Sequence, residues 1–315
     1  MYPFKLKAAT KDYVWGGIKL KEFYAKDSLS DVIAESWEVS CHPDGPSVIE
    51  NGQYEGITLA DVLDANPGYK GKNSEKFPFF PILVKLIDAK SNLSVQVHPG
   101  DEYALKNEGQ FGKTEMWYIV ECEQGAGVYC GFKKPVTKEQ LRASLVDGTV
   151  TDLLNFVEVK KGDCLFIESG TVHAICGGCV ICEIQQNSSL TYRLYDYGRV
   201  DKNGKPRQLH IDKAVAVTDT TKVVSPNAET RDLGDGVTRL AQCEYFTTDK
   251  IVLDGLKTLE VNEDSFLTAT CVDGSAEFVY NGKRYPVHTG DTYFLPAGMG
   301  RVDIEGSAEI VTAKV

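Results

Sequence analysis

The sequence predicts an all-β protein of two related barrel units with a small helical insertion, and three observations carry that expectation. Short β-type runs punctuated by turn residues dominate the 315 residues. Helical periodicity is confined to a few short stretches. Residues 157–175, VEVKKGDCLFIESGTVHAI, also align without a gap to residues 285–303, YPVHTGDTYFLPAGMGRVD. In this echo Gly162-Asp163 matches Gly290-Asp291, Phe166 matches Phe294 and Gly170 matches Gly298. A Gly-Asp turn, a short apolar strand and a second glycine suit a tight corner between strands. Two copies predict one unit over residues 1–235 and a second over 236–315.

Along the chain, TLADVLDAN reads as a helix with Thr58 at its N-cap. FPFFPILVKLID and EMWYIVECEQGAGVYCGF read as strands. TKEQLRASLVDGTVTDLLNFVEV reads as two short helices broken at Asp147-Gly148, an insertion over about residues 136–156. DCLFIES, CVICEIQQ, FLTATCVDG and DTYFLPAG return to the β pattern, and Asn281-Gly282 marks a hairpin between AEFVY and KRYPV.

The composition excludes several classes. Hydrophobic residues make up 42% and charged residues 25%, an ordinary globular balance. A net charge of −11 argues against nucleic acid and membrane surfaces as partners, since both need a basic footprint. The N-terminus lacks a signal-peptide core and no stretch approaches a membrane span, so the cytoplasm is the expected compartment. Oligomeric state is not legible. Cys176, Cys179 and Cys182 have a thiolate-like spacing, but a strand sends Cys179 and Cys182 to opposite faces, so buried free thiols are expected.

In SVQVHPGDEYA, residues 94–104, Gln96 and His98 share one strand face while Val95 and Val97 share the other. In GKTEMWYIV, Lys113 and Glu115 share a face, and His173 follows the first Gly-Asp corner. Gln96, His98, Glu115 and His173 therefore offer two imidazoles, a carboxylate and an amide oxygen from three strands. That set suits zinc with an open position, and iron or manganese would accept it too. At the place of His173 the second copy has Arg301, so only the first unit would carry this chemistry. His42, His210 and His288 read as rim, surface or structural residues.

LSVQVHPGDEYA, GKTEMWYIV, KGDCLFIESGTVHAI, LTYRLYDYGRVDKNGKPRQLHIDKA and ESWEVSCHPDGPSVIENG together resemble the type I phosphomannose isomerases in their short bacterial form. The resemblance covers nearly the whole chain and is clearest from Trp15 to Ala214. It implies a cupin, or jelly-roll, fold: a metal-bearing barrel followed by a metal-free β domain. It also implies one zinc ion held by Gln96, His98, Glu115 and His173, a catalytic Arg193, Lys113 lining the site, and Glu183 as an acidic residue facing the pocket. Ser189 stands where some members have Asp, four residues before the arginine.

The activity so implied is interconversion of mannose 6-phosphate and fructose 6-phosphate through an enediolate. It needs a cation and a guanidinium for the charge on O1 and O2, and a base for the C2 proton. Glu183 is the candidate base. Ser94 and Glu168 are candidates to orient the ligands, with Ser94 also placed for substrate. Lys113, Arg199, Lys202, Lys205 and Arg207 are the cations at hand for the phosphate, Arg199 foremost. The alternatives are an isomerase of another sugar, a metal-dependent oxygenase on the same scaffold, and a sugar-phosphate sensor without turnover.

Overall fold

A computed structural model of the protein describes residues 1–200, 204–221 and 229–315. Strands dominate it, in three sheets of nine, six and five strands. The six-stranded sheet runs in the order Cys164–Ile167, Glu115–Cys122, Cys179–Gln186, Ile82–Ala89, Glu35–Val39, Ala9–Lys11. The five-stranded sheet runs Tyr192–Tyr195, Val95–Val97, His173–Ile175, Gly127–Phe132, Leu154–Glu158. The pairings within the sheets are antiparallel. Side chains of both sheets meet in one core, with Trp117, Ile119 and Ile181 from the first and Val128, Cys130 and Ile175 from the second.

Both central strands of the six-stranded sheet, Ile82–Ala89 and Cys179–Gln186, are buried at every position. A strand covered on both faces carries a nearly continuous apolar run, which is what ILV-LI and CVIC-I supply. Their second face packs against the nine-stranded sheet: Val84, Leu86, Cys182 and Ile184 share a core with Phe246, Phe266, Phe294 and Val311. Cys179 lies in the opposite core, so the two thiols do point apart, and all nine cysteines are free. The nine-stranded sheet holds the C-terminal strands and also takes in Phe4–Lys7 and Val48–Ile49 from the start of the chain.

The helix at Leu59–Ala65 begins as expected, with Thr58 Oγ1 accepting from Asp61 N at 3.1 Å. Lys138–Asp147 ends at Gly148, whose φ of 71° is left-handed, and Val150–Leu153 adds one further turn. The stretch then turns to strand at Leu154–Glu158 rather than staying helical, because Val157 and its neighbours pair with Gly127–Phe132. Helices at Asp101–Glu108 and Ile211–Val217 escaped the sequence reading; both are short and weakly patterned. Asn281 and Gly282 take φ of 50° and 74°, the hairpin turn expected between Tyr280 and Lys283.

Val95 and Val97 pack outward, under the helices Lys138–Asp147 and Ile211–Val217 with Leu141, Leu145 and Ala214. Gln96 and His98 therefore face the space between the two sheets. That space is where the site lies.

Candidate metal centre and active site

Strand register lines up the inward side chains. Across the six-stranded sheet Trp37, Lys85, Glu183 and Trp117 stand opposite one another in a single rung. Two residues along, Leu83, Gln185, Glu115 and Ile167 form the next rung on the same face. The five-stranded sheet contributes a facing rung of Arg193, Gln96 and His173. Residues i and i+2 share a face, so these strands carry Lys85, Glu115, Glu183 and Arg193 inward.

His98, Glu115 and His173 are buried, with one ligand atom of each within 4.8 Å of the others. Glu115 Oε1 lies 3.2 Å from His173 Nε2, and Glu115 Oε2 lies 3.7 Å from His98 Nε2. The other nitrogen of each ring faces a backbone carbonyl: His98 Nδ1 sits 2.9 Å from Leu190 O, and His173 Nδ1 sits 2.9 Å from Thr171 O. A carbonyl only accepts, so both Nδ1 atoms carry the hydrogen and both Nε2 lone pairs are left to the interior, where His98 Nε2 also has Lys113 Nζ at 3.2 Å. The Gln96 amide nitrogen lies 3.3 Å from His173 Nε2, beside the group.

Buried carboxylates are normally hydrogen-bonded. Neither oxygen of Glu115 has a hydrogen bond of sound geometry, although Lys113 Nζ lies 2.5 Å from Oε2 as an ion pair. Burial pushes Glu115 up to about 7, against the pull of Lys113. Burial, then the Lys113 charge, lowers His173 to about 4 and His98 well below the usual imidazole range. Neutral imidazoles and a buried carboxylate are what a divalent cation takes as ligands, so the residues present fit a metal. Among the described residues, no other three His, Cys, Asp or Glu side chains gather in this way.

Next to this group lies a cavity of about 280 Å³ whose wall includes Lys85, Ser94, Gln96, Lys113, Glu183 and Arg193. Arg193 is held by donating through Nε to Ser94 Oγ at 3.2 Å and through Nη1 to Gln208 O at 2.9 Å. Ser94 thus orients the arginine, while Glu168 is exposed. Tyr13 and Trp15 close another side. Their loop lies hard against the sheet: a Cβ at Gly17 would meet Asp88 Oδ2 at 2.3 Å, and one at Gly16 would meet Ala34 Cα at 2.6 Å.

Glu183 sits between two lysines, with Oε1 at 3.3 Å from Lys85 Nζ and 3.6 Å from Lys113 Nζ, and Trp117 Nε1 donates to its Oε2 at 3.0 Å. Burial alone would raise this carboxyl, but Lys113 and Lys85 hold it at about 2. A group of that acidity stays ionised and is a weak base. Arg199 does not line the cavity; it turns to Asp196 and to Asn92 O. Arg207 lines the wall instead. Lys205 lies off the wall, and Lys202 lies outside the described residues.

Sequence reasoning missed Lys85, Glu35, Trp37 and Trp117. Lys85 pairs with Glu35 Oε2 at 3.5 Å, and Trp37 Nε1 donates to that same oxygen at 2.7 Å. The signal was present, since a lysine in the middle of a buried strand needs a partner. His42 packs edge-on to Trp37 at 5.7 Å, His210 Nδ1 accepts from Arg193 N at 3.2 Å, and His288 is exposed.

Residues 3–123 match the family described as phosphomannose isomerase type I, catalytic domain, and residues 236–315 match mannose-6-phosphate isomerase, cupin domain. The chain is 36% identical over 315 residues to the mannose-6-phosphate isomerase ManA of Bacillus subtilis (strain 168), covering 99% of this chain and 98% of that one. A mannose-6-phosphate isomerase of Streptococcus mutans is 34% identical, with 99% and 98% covered. The crystal structure of the mannose 6-phosphate isomerase from Bacillus subtilis superposes with a TM-score of 0.94 at 35% identity and covers 100% of both chains. A phosphomannose isomerase from Salmonella typhimurium, 19% identical, shares the fold with a TM-score of 0.83. The mostly β architecture is thus a cupin one, and the chain belongs to the type I phosphomannose isomerases, a family of enzymes.

Proposed function

We propose that this enzyme interconverts mannose 6-phosphate and fructose 6-phosphate with one zinc ion held by Gln96, His98, Glu115 and His173. The observation that carries the reading is the buried Glu115 carboxylate, paired with Lys113 and lying 3.2 and 3.7 Å from the Nε2 atoms of two imidazoles whose Nδ1 atoms face backbone carbonyls. It stands beside a cavity of about 280 Å³, room for a small sugar phosphate. The names of the full-length relatives in Bacillus subtilis and Streptococcus mutans supply the substrate.

Zinc in this group would place positive charge beside the sugar's O1 and O2, where negative charge develops as the proton moves. Arg193, locked by Ser94 and Gln208, adds a charge-assisted hydrogen bond to the same oxygens without having to reorganise. Lys113 and Glu183, 3.6 Å apart, line the cavity where the proton moves between C1 and C2. With Glu183 held so acidic, its main part is to keep Lys113 and Lys85 in place, a change from the base expected from sequence. Trp15 and Tyr13 shield the cavity from bulk water. Nine free cysteines fit a reducing compartment, and we place the enzyme in the cytoplasm.

A coupled assay of mannose 6-phosphate conversion, run before chelation, after it and after return of zinc, tests the proposal. Activity should vanish with the metal and return with zinc. Folded, zinc-loaded protein without turnover would contradict it and favour a sensor or an isomerase of another sugar.

A further inference from the structure

Behind the cavity wall one carboxylate holds two arginines, one of which, Arg207, lines the cavity. Asp196, 5% exposed, accepts from Arg207 Nε at 2.8 Å and from Arg207 Nη2 at 2.5 Å. The same carboxylate takes Arg199 Nη2 at 2.5 Å. Arg199 is itself anchored, donating through Nη1 to Asn92 O and lying over the Tyr197 ring at 5.3 Å. Its backbone N–H also donates to Asp196 O at 3.0 Å, which closes the turn. Of the two arginines on Asp196, only Arg207 reaches the cavity wall, where it joins Arg193.

Arginine carries large rotamer entropy, and a lone surface arginine would lose much of its binding energy in being fixed. A bidentate carboxylate takes one edge of the guanidinium and leaves its other N–H groups to an anion. A buried aspartate with a single arginine would neutralise it. Here Arg199 supplies the second positive charge, so the cluster of Asp196, Arg199 and Arg207 keeps a net positive charge beside Arg193. Such an arrangement suits a dianionic group against the part of the cavity wall that Arg193 and Arg207 form.

We propose that Asp196 is a positioning residue: it fixes Arg207 at the cavity wall to receive the phosphate of the substrate, with Arg199 as the anchor that holds Asp196. The inference rests on the sugar-phosphate reading above. It replaces Arg199 by Arg207 as the phosphate contact and assigns Asp196 its part in substrate affinity.

The test uses the full-length protein with inorganic phosphate as probe, its dissociation constant measured by phosphorus NMR titration, alongside KM and kcat for mannose 6-phosphate. Asp196→Asn should weaken phosphate binding and raise KM, each roughly tenfold, with kcat within about threefold. Arg207→Lys, which keeps the charge and the fold but loses the bidentate clamp, should show the same split. Combined with Arg207→Gln, Asp196→Asn should add nothing further, because it acts through that arginine. Phosphate affinity and KM unmoved by Asp196→Asn, or unmoved by Arg207→Lys where the aspartate variant does not fold, would overturn the inference. So would a fall in kcat with KM unchanged. Wild-type protein that binds phosphate at this clamp yet turns over no mannose 6-phosphate would sink the isomerase reading alone.

Discussion

At the corner before Cys164–Ile167, Lys160 N donates to Asp163 Oδ2 at 2.9 Å and Gly162 takes a φ of 93°. At the corner before Thr292–Leu295, His288 N donates to Asp291 Oδ2 at 2.9 Å and Gly290 takes a φ of 91°. The second glycines agree as well, Gly170 at 84° and Gly298 at 82°. The strands that follow then part company. His173 is fully buried among Glu115, Gln96 and His98, whereas Arg301 is exposed. Ile251, Leu253, Phe278, Leu295, Val302 and Ile304 fill the interior of the second unit with hydrocarbon.

The corner therefore sets where a strand runs and not what it carries. In the first unit the inward positions hold Lys85, Lys113, Glu35, Glu115 and Glu183, a chain of alternating charges that costs desolvation and is offset only by mutual pairing. In the second unit the inward positions serve packing alone. Among the described residues, none that follows Arg207 in the chain lines the cavity. The second unit supports the site from behind, by packing on the far face of the sheet that carries Glu115 and Glu183.

The comparison breaks most sharply at the metal ligands. His173→Ala should abolish zinc binding and isomerase activity, a larger loss than the roughly 10–100-fold that removal of a ligand's outer partner costs. Metal analysis beside the coupled assay checks it. Arg193→Ala, with zinc retained, should lower kcat about 100- to 1,000-fold, and Arg193→Lys should not restore it.

A third prediction concerns acid stability. Glu183 is held at about 2 in the folded protein, below the ordinary glutamate value of about 4.3. A depressed carboxyl contributes stability at pH above its unfolded value and loses it as pH falls toward the folded one. Urea unfolding should thus show stability falling as pH drops below about 4.3, and Glu183→Gln should flatten that slope. Parallel profiles for the two proteins would contradict the pairing with Lys85 and Lys113. The smallest effect belongs to the second unit. Arg301→His places a histidine at the aligned, exposed position and should bind no second zinc and leave activity unchanged, within about 0.5 kcal/mol in stability.

Much of this was legible because strands have a period of two. Gln96 with His98, and Lys113 with Glu115, declare a shared face by spacing, and the two Gly-Asp corners declare themselves by repetition. Lys85 was harder: within FPILVKLID it reads as one polar residue in an apolar run, and its partners Glu35 and Glu183 lie far off in sequence. Which arginine faces the cavity was not legible at all. Arg199 is nearer Arg193 in the chain, but the turn at Asp196 directs it to Asn92 and leaves Arg207 at the wall. Proximity in sequence says little once a buried carboxylate decides where two guanidiniums go.

The most direct test of the central claim, that the first unit's interior alone holds the metal, is the zinc content of the purified protein and of Glu115→Gln after equilibrium dialysis. The account predicts one zinc per chain in the wild type and a near-complete loss in the variant, with the fold intact by circular dichroism. Two ions per chain, or zinc retained by folded Glu115→Gln, would contradict it.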